Sequence, residues 1–95
     1  VMGIGTALTE AYRVENGIPQ TVRYADYEVP SINLMPEMRV HLVNSPTPEG
    51  PYGAKGIGEL PSIPTAPAVC NAIHDAVSVR VKELPALPDR VKRGS

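Results

Sequence analysis

Apolar residues at Ile4, Ala7, Leu8, Ala11 and Tyr12 recur at the spacing of one helix face, with Thr9 and Glu10 opposite. This predicts a first helix over residues 1–12. Gly3 and Gly5 weaken its early turns by about 1 kcal/mol each relative to alanine. Small residues at these positions suit direct packing on another backbone. The Asn16-Gly17 pair predicts a turn that stops the helix. Ile18 to Val29 reads as extended, with Thr21, Val22, Tyr24 and Tyr27 bracketed by Pro19 and Pro30. Residues 31–36 read as a loop. Met38, Val40 and Leu42 then alternate with Arg39 and His41, so Met38 to Val43 is the clearest strand pattern on the chain. Asn44 to Tyr52 holds Pro46, Pro48, Gly50 and Pro51 and reads as loop. A second helix is predicted within residues 62–77. Ser62 or Thr65 is placed to cap it, Pro64 and Pro67 suit its first turn, and Val69, Ala72, Ile73, Ala76 and Val77 form the buried stripe. Val79 and Val81 predict a short strand, and Asp89 a cap for a last turn.

The pattern as a whole predicts an α+β fold of two main helices, a small sheet and long Pro/Gly-rich loops. Composition sharpens this. Eleven prolines and eight glycines are spread among apolar runs, which indicates ordered turns rather than disorder. A chain of 95 residues is one domain or part of one. At this size only about 60–65% of the unfolded surface is buried, so stability is marginal unless something else covers the apolar faces. The opening Val1-Met2-Gly3-Ile4-Gly5 lies inside an apolar run, has no basic stretch of the signal-peptide kind, and reads as a cut through a longer protein. Residues 1–95 are expected to be a single partial domain, with residues 93–95 as a tail.

Charge and cysteine use narrow the function classes. A formal net charge of -1 offers no electrostatic case for nucleic acid or an anionic membrane. No apolar run reaches the roughly 18 residues of a membrane span. The single cysteine, Cys70, excludes an intramolecular disulfide and fits a reducing, cytoplasmic compartment.

The run Gly53-Ala54-Lys55-Gly56-Ile57-Gly58-Glu59 carries the first candidate chemistry. It is not a phosphate loop, because no Gly-Lys-Ser/Thr follows at the required spacing, and it lacks the third glycine of a dinucleotide fingerprint. What remains is a backbone able to turn sharply and approach another body closely, with Lys55 and Glu59 four residues apart. On spacing alone, a structural turn with a solvated lysine and glutamate is the simpler reading. The other carboxylates are scattered and read as surface acids. Cys70 and His74 sit at i, i+4 on the second helix, but His41 is the only other histidine, short of the four ligands of a closed zinc site. They read as a buried thiol and a helix-surface imidazole, with no metal ligands on the chain. No nucleophile-elbow motif occurs.

Gly50-Pro51-Tyr52-Gly53-Ala54-Lys55-Gly56-Ile57-Gly58-Glu59 closely resembles the molybdenum hydroxylases, the xanthine dehydrogenase and aldehyde oxidase family. The match is to the C-terminal part of the large molybdopterin-binding subunit, and it extends along the chain in one order. Met2-Gly3-Ile4-Gly5 with Leu8-Thr9-Glu10 resembles the family's glycine-led helix. Tyr24-Ala25-Asp26-Tyr27-Glu28-Val29-Pro30, Ala66-Pro67-Ala68-Val69 with Asn71-Ala72-Ile73, and Pro88-Asp89-Arg90-Val91 resemble its later segments. Asn33-Leu34-Met35-Pro36 departs from the pattern, lacking the usual acidic residue in what reads as a surface connection.

The resemblance implies that Glu59 is the family's active-site glutamate, a general base at the molybdenum site in hydroxylation of an aldehyde or nitrogen heterocycle. A carboxylate suits that role when unprotonated, and apolar surroundings tune it. Lys55, Gly56 and Gly58 are implied as cofactor-binding residues of the same loop. The implied cofactors are the molybdenum–molybdopterin group and, on other domains or subunits, a 2Fe-2S centre and FAD. The implied partners are the remainder of the molybdopterin-binding subunit, the iron–sulfur and flavin domains or subunits, and a small-molecule substrate. The isolated chain is expected to be inactive and to self-associate through uncovered apolar surface. The competing reading is a stand-alone, non-catalytic interaction module derived from that fold.

Overall fold

The computed structural model describes residues 1–94. The order of elements is helix α1 (Met2–Leu8), strands β1 (Val14–Glu15) and β2 (Ile18–Pro19), a one-turn helix α2 (Tyr24–Tyr27), helix α3 (Thr65–Val77) and helix α4 (Pro88–Arg93). Short 3-10 turns lie at Ile32–Leu34, Pro51–Gly53 and Leu60–Ser62. The α+β class holds, with α1 and α3 as the two helices that pack on each other.

Helix α1 is shorter than its apolar spacing predicts. It stops at Leu8 because its acceptors are taken by other parts of the chain. The Ala86 amide donates to Ala7 O at 2.6 Å, replacing the Ala11 amide that a continuing helix would bring. Thr9 Oγ1 donates to Glu28 O at 2.7 Å and draws the chain toward α2. Gly3, Gly5 and Ala7 form the buried face of α1. A Cβ on Gly3 would lie 2.5 Å from Thr65 Cβ, so only glycine lets α1 approach the start of α3 this closely.

The Asn16-Gly17 turn is present as the tip of an antiparallel hairpin pairing Val14 with Pro19 and Glu15 with Ile18. Both tip residues have positive φ, 51° and 78°, which matches the twist of the flanking strands. The extended segment predicted from Ile18 to Val29 survives only at Ile18–Pro19. Tyr24–Tyr27 is a helical turn instead, because Asp26 caps it: its Oδ2 accepts the Arg23 amide at 3.1 Å.

Met38 to Val43 is not a strand in this fold. No backbone group of that segment makes a backbone hydrogen bond among the described residues, and Val40 and Leu42 are 79% and 92% exposed. The alternation is present, but a strand also requires a neighbour to pair with. Val79 and Val81 likewise form no strand.

Helix α3 matches its predicted span closely. Pro64, not Ser62 or Thr65, holds the cap position, and the Thr65 hydroxyl donates back to Pro61 O at 2.9 Å. Its inward face is rotated from the predicted stripe. Thr65, Ala66, Val69, Cys70, Ile73 and His74 are half-buried, whereas Ala72, Ala76 and Val77 are exposed. The reason is the contact at Gly3, which places the Thr65 side of the helix against α1. In α4, Leu87 occupies the cap position and Asp89 lies in the first turn. Arg93 is its last residue and Gly94 caps it in the left-handed conformation, so the predicted tail begins inside the helix; Ser95 lies outside the described residues.

The core is minimal. Among the described residues the buried apolar side chains are Ala7, Ala86 and the adjoining Pro85, and no large side chain is fully buried. The radius of gyration is 17.1 Å, against about 12 Å for a compact domain of this length. The accessible surface is 7939 Å², against about 5,300 Å² for a compact chain of this size.

Two outcomes are expected. In the isolated chain, Gly3→Val lowers the urea midpoint by an amount equivalent to about 1–3 kcal/mol, the usual cost of overpacking a close contact. Gly56→Ala, with no atom within 4 Å of the new methyl, leaves the midpoint unchanged. The second concerns pH. The Arg23 guanidinium, hydrogen-bonded to Asp26, holds its carboxyl below the ordinary value. That contribution is complete above the ordinary carboxylate value of about 3.9 and disappears as pH falls through the depressed native value. NMR shifts of residues 24–27 should therefore follow the Asp26 titration, and Asp26→Asn should remove that dependence.

Candidate functional site

Glu59 sits where the glycine-rich loop meets the 3-10 turn before α3. Its backbone is held: Glu59 O accepts the Ser62 amide at 2.9 Å, and Glu59 is the cap residue of the Leu60–Ser62 turn. Its side chain is not held. The carboxylate is exposed and has no hydrogen-bond or ion-pair partner among the described residues. It lines an open groove of about 390 Å³ with Gly58, bounded by Met2, Gly3 and Thr6 of α1 and by Ser62, Ile63 and Ala66 beside the start of α3. The Gly3 contact therefore does more than pack two helices. It sets the two walls between which Glu59 stands.

The loop before Glu59 is anchored at its start. The Gly53 amide donates to Gly50 O at 2.9 Å, the Ala54 amide to Pro51 O at 3.0 Å, and the Thr47 amide to Gly53 O at 3.2 Å. Gly53 has φ of 78°. These bonds form a tight knot from which residues 55–58 project. Lys55 and Gly56 line a second depression of about 280 Å³, walled by Val43, Asn44, Pro46 and Leu60. The four sequence candidates are thus divided. Gly58 and Glu59 line the groove between the helices, while Lys55 and Gly56 line the second depression. Lys55 and Glu59 form no ion pair with each other.

Gly56 and Gly58 bear on whether the loop fits a cofactor. Neither has positive φ, and a Cβ on either would meet nothing within 4 Å. Nothing within the chain requires glycine at these positions, unlike Gly3 and Gly53. A bare backbone beside an unpaired carboxylate fits a cradle for a large group approaching from outside.

A larger depression of about 550 Å³ lies at the hairpin and α2, lined by residues including Tyr12, Val22, Arg23 and Tyr27. It contains none of the candidate residues and no unpaired carboxylate, so the chemistry points to the smaller groove. Cys70 and His74 share the half-buried face of α3, and no group of three or more metal-ligating side chains gathers among the described residues. Met2, Thr6 and Ser62 were not legible as groove residues from spacing. The signal was indirect: the paired glycines of α1 announce a close approach but not what it encloses.

No family model matches the chain. Individual relatives do. The chain is 37% identical over 95 residues to the gamma subunit of the 6-hydroxypseudooxynicotine dehydrogenase complex of Paenarthrobacter nicotinovorans, covering 96% of this chain and 12% of the relative. It is 39% identical over 90 residues to an aldehyde oxidoreductase of Megalodesulfovibrio gigas, covering 94% and 10%. It is 35% identical over 92 residues to a putative xanthine dehydrogenase molybdenum-binding subunit of Escherichia coli, covering 95% and 12%. The fold superposes on quinoline 2-oxidoreductase of Pseudomonas putida 86 with a TM-score of 0.87 at 29% identity, over 98% of this chain and 12% of that one. The chain belongs to the molybdenum hydroxylase family. It spans about a tenth of the length of the curated relatives it matches.

No helix among the described residues is long and apolar enough to cross a membrane.

Proposed function

We propose that this chain is the C-terminal part of the molybdopterin-binding subunit of a cytoplasmic molybdenum-dependent hydroxylase acting on an aldehyde or nitrogen heterocycle, and that Glu59 is its general base. The observation that carries the reading is the Glu59 carboxylate itself. It is unpaired and exposed on a backbone fixed by Ser62, at the mouth of a groove between two packed helices.

The molybdenum–molybdopterin group supplies the oxidising centre when bound. The chain's own residues do the rest of what is assigned to them here. The Gly56 and Gly58 backbone gives close access to the group, and Lys55 contributes a cation at the second depression. Glu59 accepts a proton at its free carboxylate. Met2, Thr6 and Ile63 shape the groove in which a small planar substrate lies. A 2Fe-2S centre and FAD on other domains or subunits would supply the electron path away from that centre.

In the complete enzyme, Glu59→Gln is expected to lower kcat/KM by about 10²–10⁴-fold, the range of general-base contributions, with molybdenum content unchanged. Near-normal turnover in that variant removes Glu59 from the role. A separate expectation concerns the isolated chain, whose residues supply only one side of a cofactor site. Elemental analysis after purification should find no molybdenum. Stoichiometric metal retained by the isolated chain contradicts the proposed division of the site.

A further inference from the structure

Met38 to Val43 is a strand by pattern that lacks a partner in this chain. Its apolar residues Met38, Val40 and Leu42 alternate with Arg39 and His41. The run holds no proline or glycine, and Pro36 and Pro46 bound it on either side. Six residues is the usual length of a strand. Yet its backbone makes no backbone hydrogen bond among the described residues, and Val40, Leu42 and Val43 are 79%, 92% and 90% exposed. Unpaired amides and carbonyls along an apolar segment form a ready template for another strand.

We propose that Met38 to Val43 is a docking strand whose occupant is a strand edge in the remainder of the same molybdenum-binding subunit. This rests on the reading that the chain is a segment of such a subunit. Three observations favour that occupant over a second copy of the chain. Matched relatives hold this chain as 10–12% of their length, so most of the polypeptide able to cover it lies outside it. The excess exposed surface extends well beyond this segment. It includes Ile32, Tyr24 and Met2, at 88%, 86% and 74%, on other elements, and a two-fold pairing through one short strand would leave these uncovered. The fold nonetheless superposes over 98% of its length on 12% of a much larger chain, so this shape occurs where ample further polypeptide is present to pair with it. The occupant presents backbone groups to pair with this segment and an aliphatic face to cover Val40 and Leu42.

The strand also bears on the site. Val43 and Asn44 wall the depression that holds Lys55 and Gly56. Pairing at residues 38–43 fixes the position of that wall, and with it the depression lined by Lys55 and Gly56.

Hydrogen–deuterium exchange tests the proposal, comparing the complete subunit, its Glu59→Gln variant and the isolated 95-residue chain. Amides of residues 38–43 should exchange at least ~100-fold more slowly in the complete subunit than in the isolated chain, as paired strand amides do. Alternate protection indicates an edge position and continuous protection a central one, and both support the pairing. The Glu59→Gln subunit should show the same protection. If that variant keeps full turnover while protection persists, the catalytic assignment fails and the docking strand stands. Exchange in the complete subunit as fast as in the isolated chain overturns the proposal. Protection in the isolated chain also overturns it: if it grows with concentration the occupant is a second copy, and if it does not the segment pairs within the chain.

Discussion

The close approach of α1 to the start of α3, at Gly3 against Thr65, is the contact on which the rest of this fold depends. No side chain larger than hydrogen fits there. The contact turns the Thr65–Val69–Ile73 side of α3 inward, opens the groove beside Ser62 and Ala66, and places the Glu59 turn at its mouth. A small core with alanine at its centre tolerates little displacement, because few other contacts would restore the geometry. Packing and candidate chemistry are therefore one problem in this chain, resolved at a single glycine.

Local signals were legible where local physics decides. The Asn16-Gly17 turn, the span of α3 and the α+β class all follow from residues close in sequence. Most of the failures share a cause. Helix α1 ends early because Ala86, far along the chain, takes the acceptor that Ala11 needs. The α3 stripe is rotated because Gly3 chooses the face. Tyr24–Tyr27 coils because Asp26 reaches back to Arg23, a capping contact hidden within what reads as an extended run. Met38–Val43 keeps its strand pattern and finds no strand. Apart from that local cap, the deciding partner is distant in sequence or absent among the described residues, where periodicity carries no information.

The candidate site was legible to a different degree. Spacing alone favoured a bland turn for residues 53–59, and only the ordered resemblance along the chain singled out Glu59. The structure adds a distinction that the motif lacks. Gly53 is needed by the loop's own conformation, whereas Gly56 and Gly58 answer to no neighbour in the chain. One glycine of the motif thus serves the fold, and two are left open by it. The same division runs through the whole molecule: the inner faces of α1 and α3 are internally determined, while large apolar side chains elsewhere stay exposed.

The Ala86–Ala7 hydrogen bond has a consequence in time. Its two residues are separated by about 80 positions, so during synthesis α1 emerges long before the group that terminates it. At roughly 5–20 residues per second that interval is on the order of ten seconds. Throughout it, the Ala7 carbonyl waits without its final donor. The clasp between Ala86 and Ala7 therefore closes only once residue 86 has been made, well after α1 itself.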